Sequence, residues 1–305
     1  MGSEASAREG VSLPKGFELI RGRRGRLARA DAVARALEDA GFAPDGDERE
    51  LPASDVSGRH PLGQIECGSM RLLVRRYAHG GLLRWLTGER FADWSRPFDE
   101  LRLADALRER GVRTPKVVAA RAVRARLGVG WRLALVSERV ENSTDLATLV
   151  ESFRRGEHDL LGLRATIRSL GVMLRQLHDL GLEHVDLQLR NILSAPDSEG
   201  ESELWIIDLD RSRLGRPLDR EKRLANLARL ARSAERRSLR GRPVLTRTDL
   251  VRLLRAYAGE ADWRPWVEGV AGRRRQDRWR HQLGWWLEKV VGADPARRDG
   301  SARID

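Results

Sequence analysis

Hydrophobic positions follow a strand-like pattern in the first half of this chain and fall three and four apart in the second. Residues 64–66 and 71–77 read as strands flanking a turn at Gly68-Ser69, and residues 116–120 and 131–136 read as two more. Between these pairs Pro97 opens a helix whose apolar residues Phe98, Leu101, Ala104 and Leu107 share one face, and Gly111 ends it. A short helix over residues 31–40 (Val33, Ala36, Leu37), closed by Gly41, comes earlier, followed by a polar linker over 44–50. Downstream, Ile167, Leu170, Leu174, Leu177 and Leu180 form one stripe that stops at Gly181. A strand, a polar turn over 194–202 and a strand ending at Asp208 come next, then helices over 220–234, 247–258 and 277–291. The expected class is α+β: a small antiparallel sheet over 58–136 with one helix inserted after its third strand, then a larger, mainly helical part. The expected segments are a flexible basic arm over 1–30, a sheet lobe over 31–137, a helical lobe over 138–291 and a disordered tail over 292–305.

Composition narrows the class. A chain of 305 residues with 41% hydrophobic and 33% charged residues is too apolar to be disordered. No apolar run approaches the roughly 20 residues that span a bilayer. The N-terminus is polar, without the apolar core of an export signal. Cys67 is the only cysteine, which excludes an intrachain disulfide and makes a reducing compartment the default. The net charge of +12, from 57 basic against 45 acidic residues, is carried almost wholly by arginine. It suits polyanionic partners, or it reflects composition bias; charge alone does not choose.

The informative segment runs from Gly181 to Asp210. It reads His184-x-Asp186-Leu187-x-x-x-Asn191, then an apolar strand ending in Asp208-Leu209-Asp210. The spacing from Asp186 to Asn191 is that of a kinase catalytic loop. Phosphoryl transfer needs a carboxylate beside the acceptor hydroxyl and hard oxygen ligands for Mg2+ on the nucleotide phosphates. Asp186 suits the first task, Asn191 and Asp208 the second, and His184 braces the loop. The bland alternative is two solvated loop carboxylates and a capping Asn. Upstream, Gly58 and Gly63 flank a candidate loop over the phosphates of ATP, although their spacing is not G-x-G-x-x-G. Arg75 stands where such a lobe places a strand cation, with Arg76 as its rival, and Glu100 stands on the following helix. Glu138, just past the strand over 131–136, joins the cofactor-binding set. Val185 stands where regulated protein kinases carry an arginine that contacts a phosphorylated loop, and Gln188 replaces a common lysine. Both point to a small-molecule or sugar acceptor.

The chain also resembles the lipopolysaccharide kinase family, specifically its 3-deoxy-D-manno-octulosonic acid (Kdo) kinases. The stretch Val74-Arg75-Arg76-Tyr77-Ala78-His79-Gly80-Gly81-Leu82 is similar to that group's V-L-R-H-Y-x-x-G-G-L. The His184 to Leu193 segment resembles H-x-D-L-N-x-x-N-I-L, and Ile207 to Arg211 resembles I-D-F-D-R. Asn226 to Ser233 resembles N-L-x-R-L-x-R-S. The likeness covers roughly residues 55 to 240, with Gln188 and Leu209 as departures. It implies a bilobal, protein-kinase-like fold and transfer of the ATP γ-phosphate to a Kdo hydroxyl of the lipid A–inner core precursor. It further implies an anionic glycolipid partner and a cytoplasmic location, peripheral on the inner membrane. Trp85, Trp94, Trp263, Trp266, Trp279, Trp285 and Trp286 are candidates for that membrane contact. The competing readings are a heptose or other small-molecule kinase and a catalytically weak pseudokinase scaffold. A nucleic-acid partner has no motif in its favour.

Overall fold

The structure is a computed structural model that describes residues 12–46, 51–54, 62–78, 90–125, 129–157, 159–198, 202–236, 238–239, 242–243 and 245–275. Six strands form one antiparallel sheet: β1 (Phe17–Arg21), β2 (Gly25–Ala30), β3 (Gly63–Cys67), β4 (Met70–Arg76), β5 (Val117–Arg124) and β6 (Trp131–Glu138). Their order across the sheet is β1-β2-β5-β6-β4-β3. One face is covered by α1 (Ala34–Asp39), entered through a 3-10 turn, and the other by α2 (Arg96–Glu109). β5 therefore buries residues pointing both ways, and its whole run from Val117 to Val123 is buried. That double burial removes the alternation a half-exposed strand shows, so the sequence pattern shortened it to 116–120.

The expected basic arm over 1–30 is not what residues 17–30 form. They make β1 and β2, paired from Phe17↔Ala30 to Arg21↔Arg26. Leu27, Ala28 and Ala30 are buried. The arginines between them are individually placed. Arg29 reaches Glu18 and Glu38 at 2.6 Å each, and Arg26 stacks on Trp94 at 4.0 Å. Guanidinium groups at the rim, with their stems along apolar surface, disguise a strand as a charge run.

α2 begins where Ser95 Oγ donates to Asp99 at 2.7 Å with Pro97 in the first turn. It buries Phe98, Leu101, Ala104 and Leu107 against the sheet. Each large apolar side chain so buried contributes roughly 1.5–3 kcal/mol. The same core cluster continues without a break into the helical half through Leu146, Leu174 and Ile206.

That half contains α3 (Leu146–Arg155), α4 (Leu160–Asp179), α5 (Arg220–Glu235) and α6 (Arg247–Ala258). Asp145 caps α3 by accepting from the Ala147 and Thr148 amides, and Thr246 and Asp249 form a reciprocal capping box on α6. On α4, Leu163, Ile167, Leu170, Leu174 and Leu177 are buried as the stripe requires, with Leu180 at its edge just past the helix. Two small sheets position the loops between these helices. β7 (Thr144–Asp145), β9 (Ile192–Pro196) and β10 (Ser202–Ile206) form one, and β8 (Leu182–Glu183) pairs with β11 (Arg213–Leu214) in the other. Together they bracket residues 184–191 and 207–212 and bring the two segments side by side. The helix expected over 277–291 and the tail over 292–305 lie outside the described residues.

Candidate active site

Ile207 is the splint of the site. Its amide donates to the Asn191 carbonyl at 3.0 Å, and its own carbonyl accepts from His184 Nε2 at 3.0 Å. Both polar groups of one peptide residue are thus spent on the His184–Asn191 loop, which fixes Asp208 beside it. His184 is 2% exposed, and burial lowers its pKa, so the neutral ring carries its proton on Nε2. Asp186 accepts from the Gln188 side-chain amide. Asn191 Nδ2 donates to the Asp186 backbone carbonyl at 2.7 Å and lies 3.5 Å from its carboxylate. That leaves Asn191 Oδ1 as the atom of the amide available to a cation.

Asp208 does not end a strand, as the pattern had suggested. β10 stops at Ile206, and Asp208 sits in a turn with φ 60°. Arg211 has φ 58°. A left-handed residue other than glycine costs roughly 1–2 kcal/mol and persists where its surroundings over-determine it.

Those surroundings come from the sheet half. Arg75 and Tyr77, two apart on one face of the β4 edge, and Arg96 and Glu100, one turn apart on α2, converge on the turn. Arg75 Nη2 meets Glu100 Oε2 at 2.5 Å, and its Nη1 donates to Asp208. Tyr77 donates its hydroxyl to Glu100. Glu100 Oε1 accepts the Leu209 amide at 3.2 Å. Arg96 grips Asp210 with two nitrogens, Nε at 3.1 Å and Nη2. Burial pushes the Glu100 carboxyl up, against the pull of Arg75. Burial would lower Arg75, but the acidic groups around it, Glu100 first and then Tyr77, Asp208 and Asp210, together outweigh it and raise its pKa well above the ordinary value.

The structure therefore brings His184, Asp186, Asn191, Asp208, Arg75 and Glu100 together. Arg76 is exposed, as strand alternation requires. Two expected cofactor residues stand elsewhere. Gly63 opens β3 instead of lying in a loop, because it pairs with Ala53 and a Cβ there would come within 2.9 Å of Leu51. The Glu138 carboxylate is bound to Lys116 at 3.1 Å. Gly58 lies outside the described residues. Sequence reasoning gave no role to Tyr77, Arg96 or Asp210. The available signals were their spacings: two from Arg75, four from Glu100 and two from Asp208.

Among the described residues no group of three or more His, Cys, Asp and Glu side chains gathers. Mg2+ does not need one, because it takes one or two carboxylates and completes its shell with phosphate and water. Asp208 and the Asn191 amide oxygen fit that demand. Of the tryptophans named as membrane candidates, Trp94 packs on Phe98 at 5.6 Å and Trp266 on Tyr257 at 5.0 Å. Trp85, Trp279, Trp285 and Trp286 lie outside the described residues. No helix among the described residues is long and apolar enough to cross a membrane.

An antiparallel sheet whose arginine and helix-borne glutamate meet a carboxylate turn, beside a His-x-Asp loop, defines a phosphotransferase. The chain belongs to the lipopolysaccharide kinase (Kdo/WaaP) family, whose profile matches residues 68–257. It is 33% identical over 249 residues to the 3-deoxy-D-manno-octulosonic acid kinase of Xanthomonas euvesicatoria pv. vesicatoria, a match covering 80% of this chain and 90% of that one. It is 33% identical over 167 residues to the enzyme of the same name from Haemophilus influenzae, covering 53% of this chain and 65% of the relative, just under two thirds of its length. A solved structure described as WaaP in complex with acyl carrier protein shares the fold, with a TM-score of 0.51 at 20% identity over 75% of this chain and 87% of that one.

Proposed function

We propose that this chain transfers the γ-phosphoryl group of ATP to a hydroxyl of a Kdo sugar in the lipopolysaccharide inner core, working as a bilobal, protein-kinase-like enzyme with Mg2+. The observation that carries the chemistry is the tie between the His184–Asn191 loop and the Asp208 turn through the single residue Ile207. The substrate assignment is supported by the relatives named above, which are Kdo kinases.

The roles follow from the geometry. Asp186 orients the acceptor hydroxyl and takes its proton as the oxygen–phosphorus bond forms and the bond to the β-phosphate breaks, releasing ADP. Gln188 and Asn191 hold the Asp186 loop in place. Asp208 and Asn191 hold the divalent cation, which neutralises charge on the phosphates. Arg75, fixed by Glu100, contacts the phosphates. The acceptor is an anionic glycolipid, so the enzyme works peripherally at the cytoplasmic face of the inner membrane. The basic balance of the chain suits that surface.

The test is incubation of the purified protein with ATP, Mg2+ and Kdo–lipid A, read by mass spectrometry. The expected product is Kdo–lipid A heavier by one phosphate. Asp186→Ala should bind nucleotide nearly normally and lose turnover by about two to four orders of magnitude. No phosphate gain on the Kdo sugar removes the substrate, and full turnover in Asp186→Ala removes the base.

A further inference from the structure

Every residue of the turn Asp208-Leu209-Asp210 is held by a side chain of the sheet half. Asp208 accepts from Arg75, the Leu209 amide donates to Glu100, and Asp210 accepts the two-pronged grip of Arg96. Arg96 and Glu100 leave the same face of α2 one turn apart, so helix and turn move as one body. The Tyr77 ring lies against both cations, 4.7 Å from the Arg75 guanidinium and 5.4 Å from that of Arg96, while its hydroxyl donates to Glu100. The Phe91 ring lies 4.5 Å from Arg96 on its own account. Arg96 and Asp210 are 14% and 21% exposed, so solvent screens their contact far less than a surface pair. The grip brackets the left-handed Asp208, a conformation that needs outside support.

We propose that Arg96 is a positioning residue for phosphoryl transfer: by fixing Asp210 it keeps the Asp208 carboxylate and the Glu100–Arg75 pair in working register without any regulatory input. The inference rests on the reading of Asp208 as the cation-holding carboxylate and goes beyond it. In a phosphotransferase the turn and the helix must be correctly placed together. Here a permanent ion pair accomplishes that, in keeping with the valine at position 185.

The experiment compares Arg96→Ala, Arg96→Lys, Asp210→Asn and the double variant Arg96→Ala/Asp210→Asn in the full chain. Turnover at saturating ATP, the KM for each substrate and the thermal midpoint are measured for each. Misplacing a reacting constellation by about 1 Å costs up to a hundredfold, so Arg96→Ala and Asp210→Asn should each lower kcat by about tenfold to a hundredfold. The acceptor KM should stay near the wild-type value. The double variant should be no worse than the poorer single one, because both remove the same contact. Arg96→Lys, with one prong instead of a fork, should recover part of the loss. A purely structural pair would lower the thermal midpoint and leave kcat intact. If Arg96→Ala fails to fold, the near-isosteric Asp210→Asn decides the question. Turnover within about twofold of wild type in the single variants, or losses that multiply in the double one, overturns the proposal. Asp208→Asn, run alongside, should be inactive. If it is active, the cation-site reading falls and this proposal with it. If it is inactive while the Arg96 series is unaffected, only this proposal falls.

Discussion

Arg75 touches Glu100 with one terminal nitrogen and Asp208 with the other, so a single guanidinium bridges two carboxylates 108 positions apart in the chain. A lysine presents one compact charge and cannot span both at once. Arg75→Lys should therefore keep charge yet lose turnover by about tenfold or more, and Arg75→Ala should in addition raise the KM for ATP. Arg76→Ala, on the exposed side of the same strand, should leave both constants near wild type. Steady-state kinetics at varied ATP tests the set, and a large effect at Arg76 with none at Arg75 contradicts it.

Gln188 offers a finer probe. Its amide is bound to the Asp186 carboxylate, so Gln188→Ala should loosen that group, which keeps Asn191 beside it, without touching the nucleotide site. The expected loss in kcat is about tenfold, smaller than the loss on removing Asp186 itself, with unchanged nucleotide affinity by calorimetry.

His178 gives the fold a pH dependence distinct from that of the site. It is 1% exposed and 2.9 Å from the Tyr257 hydroxyl, and burial, helped by Arg223, lowers its pKa from 6.5 to about 4. The unfolded chain takes up a proton that the folded one refuses. Stability is therefore full above about pH 6.5 and is lost as pH falls toward 4, by up to roughly 3 kcal/mol from this residue. Urea unfolding at pH 7 and pH 4.5 should show the drop, and His178→Asn should flatten it. A variant with the full wild-type slope assigns the dependence elsewhere.

Gly181 tests the join between α4 and β8. Its φ is 89°, and a Cβ there would lie 2.3 Å from the Gly215 carbonyl oxygen and 2.6 Å from that of Arg216. Gly181→Ala combines backbone strain with a clash against main chain, and should cost about 3 kcal/mol or more. A melting temperature close to wild type would show that the loop can yield.

The helical half was the easier to read, because the α4 stripe and its terminal glycine obey one period. The pairing of Arg75 with Glu100 was legible for a related reason: a strand and a helix of regular geometry carry them. Asp208 was legible as a chemical group but not as a conformation. Nothing local distinguishes a carboxylate ending a strand from one held left-handed by three distant side chains. Arg96 and Asp210 were hidden by composition, since in a chain this rich in arginine no single one stands out. β2 was hidden in the same way: Gly25–Ala30 is buried except at the half-buried Arg26 and Arg29, which break any alternation and are matched to partners that the linear order does not reveal. Gly63 misled in the opposite sense, because a glycine admitted for the close approach of Leu51 looks the same as one that frees a loop.

The Arg26–Trp94 stack reaches further than its own two residues. Trp94 leans on Phe98, the first aromatic residue of the helix that carries Arg96 and Glu100. The family profile starts at residue 68, after β1, β2 and β3, so half the strands of the main sheet precede it. The limits of that profile and the limits of the cooperative unit are therefore different lines on this chain. A shortened protein cut at the first line would leave β5 with an open edge and Trp94 without its cation. It would loosen the helix beneath the reacting groups while keeping every residue that reacts.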